Sequence, residues 1–133
     1  MKEPVWLSQD AVIAIQLRLL AQFGGLPGLR DEGLLASALN RPMQACAYAT
    51  PDIFDLAADY AAGIIKNHPF LDGNKRAGFM AAYTFLGING YELEADETDV
   101  LIKTLALAAG ELSADGYAEW LRGACPRRRR KRS

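Results

Sequence analysis

Apolar residues recur at helical spacing along nearly the whole chain. After Ser8, a hydroxyl suited to capping a helix, QDAVIAIQLRLLAQF carries Val12, Ile15, Leu19 and Phe23 on one face until Gly24 and Gly25 interrupt it. GGLPGLR then reads as a Gly/Pro loop. Asp31 predicts the cap of a short second helix with Leu34, Leu35, Ala38 and Leu39, ending before Pro42 because the residue before a proline is pushed out of the helical region. Thr50, Pro51 and Asp52 form the next start signal: a capping hydroxyl, a proline at the first helical position and an acid in the first turn.

The helix they open carries Ile53, Leu56, Ala57, Tyr60, Ala61, Ile64 and Ile65, apolar over a wide face, so it is expected at the centre of the fold, running to about Asn67. A further helix starts near Asn74 with Phe79, Met80, Tyr83 and Leu86, and Gly87 and Gly90 end it. YELEA reads as a short extended piece. TDVLIKTLALAAG and SADGYAEWLRG read as two closing helices, the second capped by Ser113 with Gly123 past its end. Nothing alternates in the manner of a strand series and nothing repeats. The expected fold class is all-α, about six helices around one core, with room for a short β-hairpin flap in the Gly-rich loop.

Composition narrows this. With 133 residues, half of them apolar, the chain suits one compact domain, expected over residues 1–124, followed by a basic, disordered tail at 125–133. Six of the fifteen basic residues fall in the closing PRRRRKRS, leaving nine cations against sixteen anions elsewhere. An acidic body argues against general nucleic-acid binding, so any such contact is expected only through the tail. Cys46 and Cys125 stand far apart, with no C-x-x-C pair, as in a reduced cytoplasmic protein. No apolar run spans a bilayer, and the opening MKEPVWLSQD lacks a signal-peptide core.

NHPFLDGNKRAGF, residues 67–79, concentrates the chemistry. Lys75 and Arg76 fall in the first turn of the predicted helix, where the positive end of the dipole disfavours cations. Gly73 permits backbone angles that let successive N–H groups converge, and such a nest at a helix start is an anion site. A polyanion between the helix end and the two cations accounts for their placement, and a nucleoside triphosphate fits, with Asn74 adding an amide donor. Asp72 supplies the carboxylate that phosphate-bound Mg2+ commonly takes from a protein. His68, the one histidine of the chain, stands at the rim of the loop and suits a general base at neutral pH. Singly, each has an ordinary explanation: a structural histidine, a turn-forming Asp-Gly, solvated cations. Six compatible residues within nine positions favour group transfer from a nucleotide to a hydroxyl. Neither a Walker loop nor the protein-kinase motif set occurs, so a nucleotide binds here by another route.

HPFLDGNKR resembles the signature of the Fic/Doc family, H-x-F-x-[DE]-[AG]-N-[GK]-R, and Lys75 is similar to its Doc (death-on-curing) branch. GGLPGLRDEGLLASAL, FLGINGYEL and AAGELSADGYAEWL are also similar, so the likeness covers most of residues 6–122. The resemblance implies a small helical fold and a transferase. His68 is then the base, Asp72 the metal ligand, and Gly73, Asn74, Lys75 and Arg76 hold phosphate. Lys75 is a catalytic residue as well, and Lys66 and Phe70 are supporting positions.

Most Fic proteins transfer AMP, with a glycine in place of Lys75 and an arginine in place of Phe79. The Doc-like lysine implies a reversed nucleotide that presents its γ-phosphate to a protein Ser/Thr hydroxyl. Gly73 and Pro69 are closer to the wider Fic pattern and keep AMP transfer as the alternative. A catalytically weak antitoxin-binding module is the other. By resemblance the protein is a toxin of a toxin-antitoxin pair that inhibits translation, with elongation factor Tu as target. Many Fic proteins carry an inhibitory [ST]-x-x-x-E helix; no Ser or Thr here has a glutamate four residues on, which implies a separate, Phd-like antitoxin.

Overall fold

A computed structural model describes residues 3–126. They form α1 (Gln9–Phe23), α2 (Glu32–Tyr48), α3 (Ile53–Asn67), α4 (Asn74–Ile88), α5 (Glu97–Ala109) and α6 (Ala114–Ala124), and the fold is all-α as expected. The arginine-rich run lies outside the described residues.

The wide apolar face of α3 places it at the centre, with every residue from Ile53 to Ile65 except Asp55 and Asp59 buried. It packs against α2, α4 and α6. Small residues set how closely these helices approach. A Cβ on Gly63 would meet the Ala38 carbonyl at 3.1 Å, and one on Gly78 would meet Ile65 Cγ1 at 2.8 Å and the Ala61 carbonyl at 3.1 Å. The helices therefore approach closely around the C-terminal half of α3, the part that leads into the candidate site.

Three boundaries depart from expectation. α2 runs through Pro42 to Tyr48 instead of ending before the proline. A proline inside a helix costs about 3 kcal/mol, chiefly by leaving the carbonyl four residues back unserved and crowded. Here that carbonyl belongs to Ala38, which faces Gly63, and Leu35, Ala38, Leu39 and Pro42 form one buried stripe on α3. Burial of a leucine contributes about 1.5–3 kcal/mol, so the stripe outweighs the local penalty.

The cap of α3 is Asp52, not Thr50. Its carboxylate accepts from the Phe54 and Asp55 amides at 3.0 and 2.9 Å, and Asp55 returns a bond to the Asp52 amide at 2.9 Å. A carboxylate that accepts two orphan N–H groups outcompetes a hydroxyl two residues earlier. At the other end of the chain, α6 continues past Gly123 to Ala124, and Cys125, assigned to the tail by sequence, is buried in the core.

The Gly-rich loop, which has room for a hairpin flap, makes one antiparallel bridge among the described residues, Leu29 to Phe70. In YELEA the Tyr91 amide donates to the Leu86 carbonyl at 2.9 Å and the Glu94 amide to the Ala124 carbonyl at 2.8 Å. No helix among the described residues is long and apolar enough to cross a membrane.

Candidate active site

His68 caps the C-terminus of α3 in the left-handed region, φ 53 and ψ 52, the one non-glycine residue with positive φ among those described. Histidine enters this region more readily than most side chains, yet the conformation still costs about 1–3 kcal/mol and persists only where surroundings fix it. Several bonds do so. The His68 amide donates to the Ile64 carbonyl at 3.1 Å. From the Gly/Pro loop, Arg30 Nε donates to the His68 carbonyl at 2.7 Å and a terminal guanidinium nitrogen donates to the Asn67 carbonyl at 2.9 Å. One arginine thus covers two carbonyls left open at the negative end of α3. The Arg30 and Asp31 amides both donate to the Pro69 carbonyl, and Asn67 Nδ2 donates to the Leu34 carbonyl.

The loop then turns inward and out again. Phe70 is buried and anchors it in the core. Asn74, also buried, closes a ring on Phe70: its Oδ1 accepts from the Phe70 amide at 3.0 Å and its Nδ2 donates to the Phe70 carbonyl at 3.0 Å. The same Nδ2 lies 2.9 Å from His68 Nδ1. This differs from the phosphate-facing amide expected of Asn74: the side chain holds the loop and the imidazole, leaving its backbone N–H at the helix start.

Gly73, left-handed at φ 75, is the N-cap of α4 and supplies no side chain to its amides. The N-caps of the five other helices bond at least one first-turn amide through a side-chain oxygen. The start of α4 therefore keeps its orphan N–H groups and partial positive charge for an external anion.

Asp72 stands just before that end. Its Oδ1 accepts from the Gly73 amide at 3.0 Å and its Oδ2 from the Leu26 amide at 3.3 Å. A Cβ on Gly25, at φ 122, would lie 2.9 Å from Oδ2, so the loop after α1 reaches the carboxylate only with glycine there. Behind it, the buried Gln16 of α1 donates from Nε2 to the Asp72 carbonyl at 3.2 Å.

A cleft of about 850 Å³ opens at this point, within the range of roughly 300–1,000 Å³ usual for small-molecule sites. His68, Asp72, Gly73, Asn74, Lys75 and Arg76 all line it, together with Phe79 and with Glu97 of α5. Lys75 and Arg76 are exposed. The Arg76 guanidinium lies 4.2 Å from the centre of the Phe23 ring, a cation–π contact at the end of α1. Of the supporting positions, Lys66 is exposed in the last turn of α3 and does not line the cleft, and Phe70 is a core residue.

The donor set suits phosphate-bound magnesium rather than a free-standing metal site. Among the described residues no three His, Cys, Asp or Glu side chains gather to hold a metal. A single carboxylate beside an uncapped helix start fits Mg2+ carried in on phosphates, which keeps most of its ligands as water and phosphate oxygens.

Arg30, Gln16, Gly25 and Phe23 were not legible as site residues. Gln16 left one trace, a polar residue in the row of Val12, four residues on, where an apolar one belongs. The others lie distant in sequence and become neighbours only through the fold.

Fold and site together define a helical domain with an uncapped helix start, an imidazole and a carboxylate in one cleft. A model of the Fic/DOC family matches residues 6–86, and the chain belongs to that family. It is similar to the protein kinase doc of Escherichia phage P1, 32% identical over 117 residues, covering 87% of this chain and 92% of that relative. It is also similar to the toxin Doc of Mycolicibacterium smegmatis, 48% identical over 77 residues, or 56% of this chain and 58% of that relative.

Proposed function

We propose that this protein is a Doc-type toxin that transfers the γ-phosphate of ATP to a Ser or Thr hydroxyl of a translation factor, elongation factor Tu being the candidate target. The observation that carries the reading is the convergence of His68, Asp72, Lys75, Arg76 and the uncapped start of α4 on one cleft. The relative named as a protein kinase aligns over most of both chains, which supports phosphate rather than AMP transfer.

Each group has a task in that reaction. The first-turn amides of α4 and the charges of Lys75 and Arg76 hold the phosphates and offset charge that develops on the departing diphosphate. Asp72 would hold the magnesium, which when bound would offset the negative charge of the phosphates. His68 takes the proton of the target hydroxyl as its oxygen bonds to the γ-phosphorus; the bond from that phosphorus to the bridging oxygen breaks, and ADP leaves. Arg30 fixes the His68 backbone, and Asn74 orients the resting imidazole.

The protein acts in the cytoplasm and is restrained by a separate, Phd-like antitoxin. Two features support that partner: the missing [ST]-x-x-x-E inhibitory pattern, and exposed Leu101, Ile102 and Leu105 on α5, of which Leu101 and Leu105 line the cleft. An amphipathic helix laid along them covers this surface.

Incubation of the protein with Mg2+, elongation factor Tu and ATP labelled at either the γ- or the α-phosphate tests the reading. Label reaching the factor from the γ-position supports it. Label from the α-position alone makes the protein an AMP transferase, and no label from either leaves an antitoxin-binding module.

A further inference from the structure

The contacts of Asn74 determine more than the position of the imidazole. Its amide oxygen accepts from the Phe70 N–H at 3.0 Å, and its nitrogen donates to the Phe70 carbonyl at 3.0 Å. Exchanging oxygen and nitrogen would set N–H against N–H and oxygen against oxygen at both contacts, so two backbone groups fix which way the amide faces. Its second hydrogen then points along the 2.9 Å separation to His68 Nδ1. An amide NH2 only donates, so Nδ1 must accept and carries no proton.

We propose that Asn74 is a positioning residue that holds the resting His68 as the neutral tautomer protonated at Nε2. This rests on the assignment of His68 as the base and deepens it. A group that reaches Nε2 in the resting cleft meets a hydrogen-bond donor, which suits a phosphate or carboxylate oxygen. Proton acceptance at Nε2 needs the ring's hydrogen on Nδ1, where the Asn74 amide opposes it. The imidazole becomes a base for the target hydroxyl only when the bond between Asn74 and Nδ1 opens.

The chain contains a single histidine, so one imidazole appears in a nitrogen-15 spectrum. The full-length protein without ligands is measured at about pH 8.5, where an ordinary imidazole is neutral. Long-range proton–nitrogen correlations are expected to show one tautomer, protonated at Nε2, with a through-hydrogen-bond coupling between Asn74 Nδ2 and His68 Nδ1. A ring protonated at Nδ1, or averaged shifts without that coupling, overturns the proposal. Asn74→Asp places an acceptor at Nδ1 and is expected to move the proton there; a folded variant that keeps the wild-type pattern also overturns it. Should that variant not fold, the wild-type coupling decides alone. The readout is independent of transfer: a protein that shows the coupling but labels no substrate sinks the transferase reading and leaves this one standing.

Discussion

Arg30→Ala tests whether the Gly/Pro loop serves the active site by pinning the end of α3. The substitution removes two charge-assisted bonds, at 2.7 and 2.9 Å, to the His68 and Asn67 carbonyls. Bonds to charged groups contribute about 1.5–3 kcal/mol each, and exposed ones less because solvent competes for both partners, so a combined loss of about 1–2 kcal/mol follows. The left-handed His68 costs about the same. Loss of the clamp therefore lets the residue relax towards ordinary helical angles and carries the imidazole off line. A shift of 1–2 kcal/mol in the population of the competent geometry corresponds to roughly a 5- to 30-fold fall in transfer rate. Urea unfolding gives the stability change and a labelled-phosphate assay gives the rate. Arg30→Lys keeps the charge without the two-pronged reach and should fall between the two. Wild-type rate and wild-type unfolding midpoint in Arg30→Ala together would refute the argument.

Other perturbations follow from the same geometry. Gly78→Val pushes a branched side chain into Ile65 and the Ala61 carbonyl, and should lower unfolding free energy by about 2 kcal/mol; an unchanged urea midpoint contradicts the packing of α3 on α4. At Asp52, burial raises the carboxyl pKa, but the Asp55 amide and the Arg122 guanidinium outweigh it and hold the group below its usual value of 3.8. Its stabilisation is then complete above the unfolded pKa and is lost as pH falls through the lower folded value. Arg122→Ala should shrink the acid-side slope of stability below about pH 4, and an identical slope would remove the pair from the account. Burial pushes the Tyr117 phenol up to about 12, against the opposing bond from Thr104. Ultraviolet titration should show a phenolate that forms only there, its stabilisation full below about pH 10 and lost as pH climbs towards 12; all tyrosines ionising together near 10 would contradict its burial. Asp72→Asn should keep the fold and lose the magnesium dependence of nucleotide binding, which unchanged dependence would disprove.

The fold was largely legible because helix patterning is local. Five of the six helix starts are marked by a short polar side chain that reaches the amides two or three residues on, and the broad apolar face of α3 marks it as central. The failures were of two kinds. Pro42 and Thr50 are local signals overridden by stronger ones, the buried stripe of α2 in one case and a reciprocal carboxylate cap in the other. The side chain of Asn74 departs from its expected role because residue type at a helix start does not say which way an amide points, and the fold turns this one inward on Phe70. The supports of the site, Arg30 and Gln16, come from distant segments and bond mainly to backbone oxygens. Every residue offers such an oxygen, so no residue type at a fixed spacing announces the contact.

Calorimetric titration with ATP tests the central claim most directly, that the start of α4 and its flanking charges form a nucleotide site. The account predicts one binding event in the presence of Mg2+, weakened in Lys75→Ala and Arg76→Ala and preserved in His68→Ala, whose imidazole serves the hydroxyl rather than the phosphates. No uptake of nucleotide by the wild-type protein, or affinity untouched by removal of both cations, would contradict it.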